Sequence, residues 1–574
     1  MTVYRIIGLA VCAALAACAQ QPPLTAEEPA PAPKAVVVKP QPLPGVELSE
    51  ELLYKLMLAE VALQRGQAHI AVQTYLELAR ETGDPRIAQR ATEVAWNARF
   101  NSAALEAAGI WLQVDPASAQ ARQVIAALLV NQARIADAQP HLEKWIATGR
   151  DSVGQSFLQL STLLSRHKDK PEVLKLMQAL AQPYPDVPEA RLAVAQAAWN
   201  ADNLQVSLEE ARAALKLRPD WEPAALFIAQ VMQRSSNEEA LRFLEDYLRD
   251  HPGARDARLN YARLLVTTKS YPEARRQFEL LVGEYPQNAD VGMAVALLAM
   301  QANDYDAAET QLKRVLELDS KDPDLARFYL GQLNEDRKRP DEALKWYSAV
   351  TQGEQFIPAQ ARYANILAKQ GKLPEARKHL QQATARNPQQ RVQLTQAEAQ
   401  LLRDANAYQE AFDVLGQALA KMPDTPDLLY DYAMAAEKLN RIDILEANLK
   451  QLIKLRPDHA HAYNALGYTF ADRNERIEEA YRLIETALKL APEDPFVQDS
   501  MGWVLYRMGR NQEGLDYLQK AFKQRPDAEI AAHLGEVLWA LEKRDEARKI
   551  WAESLKEHPN NEVLQSTVKR FQPQ

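Results

Sequence analysis

Cysteine and glycine are scarce in this sequence, and their scarcity excludes several kinds of structure and chemistry. The two cysteines among the 574 residues, Cys12 and Cys18, both lie close to the N-terminus. The rest of the chain therefore has no sulfur for a disulfide, a thiolate nucleophile or a cysteine-ligated zinc site. Glycine supplies only 19 residues, and no run of alternating β-branched residues predicts a sheet. Alanine, leucine, glutamate, glutamine and arginine dominate instead, which favours helix.

The sequence motifs of common enzymes are also absent. The chain has no Gly-x-Ser-x-Gly elbow, no phosphate-binding loop and no Gly-x-Gly-x-x-Gly fingerprint. No metal-ligand spacing accompanies His459 and His461, so we interpret both as structural or solvent-exposed, and we interpret His379 and His533 in the same way. A net charge of −9 weighs against nucleic-acid binding, which requires a concentrated basic face. We predict a protein that is not an enzyme and that binds no cofactor or metal.

The most informative feature that is present is a repeat of about 34 residues, which runs from about residue 50 to the C-terminus. Its second helix carries a small, a bulky and a small residue, as at Ala480, Ile484 and Ala487. Its first helix carries a large residue followed by glycine, as at Leu466-Gly467, where two backbones approach closely. Proline ends each unit because it lacks an N–H and disfavours helical geometry in the preceding residue. These prolines are Pro116, Pro185, Pro219, Pro252, Pro286, Pro388, Pro423, Pro457, Pro492, Pro526 and Pro559, with Ser320 and Gln355 at two further expected places.

A period of about 34 residues is typical of tetratricopeptide repeats, in which each unit is a pair of helices. We therefore predict an all-α fold, a tetratricopeptide-repeat superhelical solenoid of roughly 14 to 15 helix pairs. The alternative is an ordinary alanine-rich helical bundle, but a bundle needs no fixed period. The regular array is predicted at residues 151–560, and a capping helix and tail at 561–574. Residues 46–150 lose most signature positions, so they are either degenerate repeats or a separate helical cap.

The N-terminus has the features of a secretory signal peptide. Arg5 precedes an apolar stretch of about 12 residues, which is too short to span a bilayer because spanning requires about 20. The end of this stretch, Leu15-Ala16-Ala17-Cys18, resembles a bacterial lipobox. The resemblance implies that residues 1–17 are removed and that Cys18 is lipidated, whereas in an ordinary signal peptide Cys18 would be incidental. By the same resemblance, Ala19 in place of aspartate implies a lipid-anchored protein of the outer membrane that faces the periplasm.

The lipobox is followed by a linker and a first amphipathic helix. Residues 18–45 are rich in proline and alanine and have no helical period, which predicts a semi-rigid linker behind the lipid anchor. Helical structure is predicted to begin near Val46, with Ser49 as the capping residue. The first helix has an apolar stripe that either folds onto the array or docks on a partner. The candidate residues of this N-terminal docking helix are Leu52, Leu53, Leu56 and Met57.

The concave face of the predicted solenoid, which the first helices of the pairs form, is the candidate protein-binding site. Aromatic rings beside asparagine, aspartate and arginine suit an extended peptide, because rings stack on its side chains while polar groups bind its backbone. The candidate residues are Asn464, Tyr468, Asp499, Trp503, Tyr506, Arg507, Glu536 and Trp539. In an alternative interpretation, Trp503 and Tyr506 pack between neighbouring units. The Lys/Asn/Arg clamp with which some tetratricopeptide co-chaperones hold a C-terminal carboxylate is absent.

The C-terminal segments NALGYTFAD, DSMGWVLYRMGR and IAAHLGEVLWALEKRDEARKIW, with the lipobox and the linker, resemble a family of large tetratricopeptide lipoproteins of Gram-negative bacteria. Within that family the chain is most similar to pseudomonad lipoprotein adaptors that bind a periplasmic carboxyl-terminal processing protease. The resemblance implies a non-catalytic outer-membrane adaptor that delivers protein substrates, such as peptidoglycan hydrolases, to that protease. The alternative is a scaffold lipoprotein of a polysaccharide-export or outer-membrane assembly complex.

Overall fold

The computed structural model describes residues 45–148, 153–318 and 320–571. These residues form 31 helices and no strand, which confirms the predicted all-α class. They fall into two compact units, the first ending at residue 319 and the second beginning at residue 320. The predicted signal peptide, the predicted lipidation site Cys18 and nearly all of the predicted linker lie outside the described residues. The segment boundaries proposed from the sequence stay a prediction.

Unit 1 consists of eight consecutive helix pairs within the described residues. Its helices are α1 (Glu50–Gln64), α2 (Ala68–Thr82), α3 (Pro85–Asn97), α4 (Asn101–Val114), α5 (Ala119–Asn131), α6 (Ile135–Thr148), α7 (Val153–Leu164), α8 (Lys170–Ala181), α9 (Pro188–Asn200), α10 (Leu204–Leu217), α11 (Glu222–Gln233), α12 (Asn237–Asp250), α13 (Arg255–Thr267), α14 (Tyr271–Glu284), α15 (Ala289–Gln301) and α16 (Tyr305–Glu317).

Unit 2 consists of seven helix pairs and one final helix within the described residues. Its helices are α17 (Pro323–Asp336), α18 (Pro340–Ser348), α19 (Phe356–Lys369), α20 (Leu373–Gln382), α21 (Pro388–Asp404), α22 (Tyr408–Lys421), α23 (Pro426–Lys438), α24 (Ile442–Leu455), α25 (Ala460–Asp472), α26 (Ile477–Leu490), α27 (Pro495–Arg507), α28 (Asn511–Gln524), α29 (Ala528–Ala540), α30 (Arg544–Glu557) and α31 (Glu562–Phe571).

Within each unit, the two helices of nearly every pair pack against each other and against the next pair; the exceptions are α7 and α8, which both pack on α9 instead. The loops that join them are short, so consecutive helices fold back on one another. Every pair therefore buries its apolar residues against its immediate neighbours, as expected of a tetratricopeptide-repeat solenoid. The arrangement confirms the predicted repeat fold, with 15 pairs followed by α31 within the described residues.

The turn inside most pairs contains a left-handed residue two positions after the end of the first helix. After α25 this residue is Asn474, with φ 56°, and after α27 it is Gly509, with φ 79°. In the former turn, the backbone N–H of Glu475 donates to the Phe470 carbonyl oxygen at 2.9 Å, which satisfies a carbonyl at the end of the helix. Asparagine tolerates the left-handed region better than most residues do. The chain therefore makes many of its tight turns without glycine.

Helices α27 and α28 approach closely at two facing glycines. A Cβ at Gly502 would lie 2.6 Å from Cγ of Leu518 and 2.8 Å from the carbonyl oxygen of Gly514. A Cβ at Gly514 would lie 2.7 Å from the carbonyl oxygen of Gly502. Interiors are packed too densely to admit such an extra atom without a shift of the backbone. The small residue of the repeat pattern thus allows the two backbones of a pair to touch.

In unit 2, most first helices of successive pairs also contact one another directly. Helix α25 packs on α27, α27 packs on α29, and α29 packs on the final helix α31. The second helices α26, α28 and α30 make no contact of similar extent with one another. The first helices therefore form the more closely spaced row. We call the surface formed by α21, α23, α25, α27 and α29 the inner wall.

Candidate functional site

A buried pair, His533 and Asp499, joins two successive first helices of the inner wall. Nδ1 of His533 lies 3.0 Å from Oδ1 and 3.1 Å from Oδ2 of Asp499. The two residues are 5% and 6% exposed. His533 is on α29 and Asp499 is on α27, so the contact bridges neighbouring repeats. A carboxylate that accepts a hydrogen bond from an imidazole in the protein interior makes a strong, well-oriented hydrogen bond.

Aromatic rings enclose this pair. The His533 ring stacks on Trp503, with 4.2 Å between the ring centroids and 25° between the ring planes. The hydroxyl of Tyr468, on α25, lies 3.4 Å from Nε2 of His533. The Arg507 guanidinium lies over the Trp503 ring, 4.6 Å from its centroid. Three consecutive first helices thus contribute to one network, which we call the His533 cluster: Tyr468, Asp499, Trp503 and His533.

The protonated form of His533 is stabilised within this cluster. Burial by itself lowers the pKa of the imidazole, but the Asp499 carboxylate beside it raises that pKa, and the net direction is above the ordinary value of 6.5. The carboxylates of Asp472 and Glu529 act in the same direction. Burial raises the pKa of the Tyr468 hydroxyl far above its ordinary range. Tyr468 therefore stays protonated at neutral pH.

A second contact between equivalent positions joins α29 to the final helix α31. The guanidinium of Arg570 binds the carboxylate of Glu536, which is buried. The Tyr506 hydroxyl lies 3.4 Å from Oε1 of the same carboxylate. Burial raises the pKa of Glu536, although the guanidinium groups of Arg570 and Arg507 oppose that rise. The final helix is thereby attached to the last helix pair by charge as well as by apolar packing.

The structure brings most of the predicted concave-face residues together, at different depths. Three of them are buried, and four are half-buried on the same wall. The buried residues are Asp499, Trp503 and Glu536, and the half-buried residues are Asn464, Tyr468, Tyr506 and Arg507. Trp503 is 3% exposed and packs between neighbouring repeats, which is the alternative that the sequence analysis left open. The role of these residues in binding stays a prediction.

Trp539, the remaining candidate, lies apart from the His533 cluster. Its ring centroid is 5.8 Å from that of Trp551 and 5.9 Å from that of Phe571. The guanidinium groups of Arg544 and Arg548 each lie 5.5 Å from the same centroid. Trp539 therefore belongs to the aromatic group that packs α31 against the last pair.

His533 is the residue of this site that the sequence analysis did not assign to the wall. The sequence feature that points to His533 is its spacing from Asp499: the two residues are 34 positions apart, which is one repeat. Glu536 and Arg570 have the same separation of 34. Residues one period apart occupy equivalent positions in successive first helices. Opposite charges at that spacing therefore predict a contact between repeats.

Two half-buried side chains beside the cluster retain unused hydrogen-bonding capacity. Oδ1 of Asn464 and Nε of Arg507 have no hydrogen-bond partner among the described residues, and neither has the indole N–H of Trp503. Asn464 lies one helical turn before Tyr468 on α25, so both side chains are on the same face. Buried polar atoms are normally paired. These three atoms have almost no exposed surface of their own, so they are unmet hydrogen-bonding groups inside the wall.

The His533 cluster brings together an imidazole, a carboxylate, an indole and a phenol. The side chains that contact His533 are Tyr468, Asp499 and Trp503, and this set contains no serine, threonine or cysteine nucleophile. Among residues 45–148, 153–318 and 320–571, no three histidine, cysteine, aspartate or glutamate side chains are placed to hold a metal ion. Over the same ranges, no helix has both the length and the apolar run needed to cross a bilayer.

The predicted docking helix, α1, has two different apolar sides. Leu52 and Leu56 pack against the core of unit 1. Leu53 is 46% exposed and Met57 is 60% exposed. The helix therefore folds onto the array by one side, and the other side leaves two of the four candidate residues in contact with solvent.

Known family patterns match both units of the chain. A tetratricopeptide repeat-like domain matches residues 250–404, and a tetratricopeptide repeat matches residues 446–495 and 500–562. The chain is 34% identical to the TPR repeat-containing protein PA4667 of Pseudomonas aeruginosa over 505 residues, which is 88% of this chain and 85% of that protein. It is 28% identical to the cellulose synthase operon protein C of Pseudomonas fluorescens over 288 residues, which is 46% of this chain and 22% of that protein.

Solved helical-repeat structures resemble the chain only distantly. The structure of Naa15/Naa10 bound to HypK-THB covers 91% of this chain and 89% of the solved chain, with a TM-score of 0.34 and 12% identity. The structure of the APC/C hetero-tetramer Cut9-Hcn1 covers 79% of this chain and 97% of the solved chain, with a TM-score of 0.25 and 15% identity. Similarity at this level says nothing about function.

Proposed function

Because the chain belongs to the tetratricopeptide-repeat family that includes the Pseudomonas aeruginosa protein PA4667, we propose that it is a non-catalytic scaffold whose inner wall binds extended segments of other proteins. The observation that carries the proposal is the His533 cluster, in which three consecutive first helices are held in one register by polar and aromatic contacts. A wall held in this way is organised before its partner arrives, which lowers the entropic cost of binding.

The half-buried residues beside the cluster supply the recognition groups. Asn464 and Arg507 are half-buried polar side chains of this wall, and an extended peptide presents backbone N–H and C=O groups that pair with amide and guanidinium groups. The exposed part of Tyr468 lies on the same face as Asn464. Its ring suits a partner side chain, because aromatic surfaces bury large areas with little loss of conformational entropy.

We further propose that the partners are a periplasmic carboxyl-terminal processing protease and its protein substrates, peptidoglycan hydrolases among them. This identity rests on the resemblance of the C-terminal repeats to protease-adaptor lipoproteins. Cys18 anchors the chain to the outer membrane in this proposal, and residues 18–45 space the helical units from the membrane. A chain that holds protease and substrate together makes their encounter intramolecular, and the gain is set by effective concentration.

The second candidate is a scaffold in polysaccharide export or outer-membrane assembly. The partial similarity to the cellulose synthase operon protein C supports it. That similarity spans 46% of this chain but only 22% of that protein, so it concerns a block of repeats. A scaffold of this kind would purify with a membrane synthase or a β-barrel protein, whereas the adaptor would purify with a soluble protease.

Crosslinking mass spectrometry on the anchored full chain in its native cell separates the two candidates. Crosslinks from α25, α27 or α29 to a carboxyl-terminal processing protease or its substrates support the adaptor proposal. Crosslinks to a synthase or a β-barrel protein support the alternative. Hydrolysis of casein or peptidoglycan by the purified chain alone would contradict a non-catalytic scaffold.

A matched pair of variants tests the wall itself. Asn464→Ala removes a half-buried amide from the inner wall, whereas Gln519→Ala removes an exposed amide from the second helix α28. We expect the first variant to weaken capture of the crosslinked partner by about tenfold and the second to leave it unchanged. Equal capture by both variants would contradict the proposed wall.

A further inference from the structure

A cleft of about 200 Å³ lies in the inner wall, one helix pair before the His533 cluster. It is formed by α21, α23 and the start of α25. Helix α23 makes no contact with α25 of the extent seen between α25 and α27, so the cleft occupies a gap in the row of first helices. The residues that line it are Gln396, Asp427, Tyr430, Asp431, His459 and His461.

Neither carboxylate of this cleft forms a short ion pair among the described residues, although Arg403 acts on Asp431 and Arg456 acts on Asp427 electrostatically from a longer distance. Asp431 accepts a hydrogen bond from Nε2 of Gln396 at 2.8 Å, which orients one of its oxygens. The nearby arginines are engaged elsewhere. Arg403 donates to Gln400 at 2.6 Å, and Arg456 pairs with Asp458 at 3.0 Å. Burial raises the pKa of Asp431 because it destabilises the charged carboxylate. A cation placed beside the carboxylate would stabilise the charged form and offset that free-energy cost.

The other lining residues define the shape and polarity of the cleft. Nδ1 of His459 accepts a hydrogen bond from the Ala462 backbone N–H at 3.1 Å, so the imidazole is fixed by the start of α25. The Tyr430 and His459 rings lie side by side, with 5.6 Å between their centroids. Two rings next to two carboxylates form a setting in which a planar cation stacks on a ring and donates charge-assisted hydrogen bonds to a carboxylate.

We propose that this cleft binds a single cationic side chain, arginine in preference to lysine, from an extended partner segment that lies along the inner wall. The planar guanidinium group is the better fit because it forms two hydrogen bonds to a carboxylate while its face stacks on an aromatic ring. The inference rests on the proposed function, since it names the anchor residue that the inner wall selects in its partner.

The size and the donors of the cleft favour a side chain over other ligands. Sites for small molecules have volumes of roughly 300–1,000 Å³, and this cleft is smaller. No three of its histidine and aspartate side chains converge as metal ligands among the described residues. The residues that line the cleft lie in, or directly before, three helices of the inner wall, so a segment that lies along this wall can place one side chain in the cleft.

The test uses the full chain and a random library of twelve-residue peptides displayed on phage. We expect the selected peptides to share one arginine or lysine at a fixed position, and a synthetic peptide of that sequence to bind with measurable affinity by calorimetry. Replacing its arginine by citrulline, which keeps the shape and removes the charge, should weaken binding at least about tenfold. A library that yields no specific binder overturns the proposed function and the cleft assignment together. Binders without an enriched basic position overturn the cleft assignment alone.

Variants of the chain assign the effect to the cleft. Asp431→Asn keeps the size of the side chain and its acceptor for Gln396, and should lower affinity for the arginine peptide at least about tenfold. The same variant should bind the citrulline peptide as the unmodified chain does. Asp427→Asn, an exposed position, gives a second measurement if Asp431→Asn fails to fold. Asp443→Asn, an exposed carboxylate on the second helix α24, is the control and should change nothing. Equal affinities for all variants overturn the proposal.

Discussion

The Nδ1 atom of His533 lies 3.0 Å from Oδ1 of Asp499, and this contact joins residues separated by one repeat. Most contacts in a repeat array are apolar and tolerate small shifts between neighbouring units. A buried pair that is bonded through specific atoms allows far less displacement. The pair therefore sets the register of α27 and α29, and with it the position of the half-buried residues on the inner wall.

Replacing His533 by alanine should destabilise unit 2. The change leaves the Asp499 carboxylate buried without its partner, and such a loss costs about 3–5 kcal/mol. Urea denaturation followed by tryptophan fluorescence measures the change in the free energy of unfolding. The control is Asp545→Ala, which removes an exposed partner of Arg548 and should cost less than about 1 kcal/mol. A loss for His533→Ala as small as that of the control would contradict a buried pair.

The stability that the pair contributes should decrease as the pH rises. The pKa of His533 is raised in the folded protein, so folding favours the protonated imidazole. The stability that the pair contributes is therefore fully present when the pH is below 6.5, the ordinary pKa of histidine. It is lost as the pH rises through the raised pKa of folded His533. We expect the difference in unfolding free energy between the unmodified chain and His533→Gln to shrink as the pH rises above 6.5. A difference that grew with pH would show that the sign of the pKa shift is wrong.

Replacing Gly502 by alanine should destabilise the α27–α28 pair. The added Cβ would lie 2.8 Å from the carbonyl oxygen of Gly514, so the two backbones must separate. Overpacking of this kind costs about 1–3 kcal/mol. The matched control is Gly109→Ala in α4, where nothing lies within 4 Å of the added atom. That variant should be neutral or more stable by up to about 1 kcal/mol, because alanine is the better helix former. Thermal unfolding of both variants distinguishes the two outcomes, and equal shifts would count against backbone contact at Gly502.

Two residues of α1 should respond differently to truncation. Leu56 packs on the core of unit 1, whereas Met57 is 60% exposed. Leu56→Ala should lower the free energy of unfolding by about 1–2 kcal/mol because part of an apolar side chain leaves the core. Met57→Ala should change it by less than about 0.5 kcal/mol. If Met57→Ala proves the more destabilising in urea denaturation, the helix lies on the array by its other side.

Much of the fold follows from spacing alone. The recurring prolines and the small residues beside large ones identify the helix pairs, because each pair makes the same packing contacts with its neighbours at the same interval. The left-handed turn residues are harder to recognise, since asparagine and even charged residues occupy positions where glycine would be the usual sign. The two compact units are not visible in the sequence either, because the repeat continues across the boundary at residue 319.

The candidate site could be located from the sequence but not described in depth. The register of Leu466-Gly467 and Met501-Gly502 places Tyr468 and Trp503 on first helices, and the structure shows both there. The burial of Trp503 and the contact between Asp499 and His533 depend on how closely successive first helices approach. That distance is set by all the side chains between the helices, and no single position in the sequence reports it.

The sequence by itself determined that this protein is a chain of helix pairs, because a short pattern repeated many times can be satisfied only by repeating one local packing. It also determined which residues occupy equivalent positions, since these recur at the period of the array. Only the tertiary structure decided which equivalent residues meet, how deeply each lies, and where a gap remains between two first helices. These properties depend on the spacing of neighbouring repeats, which arises from the sum of many contacts across the interface.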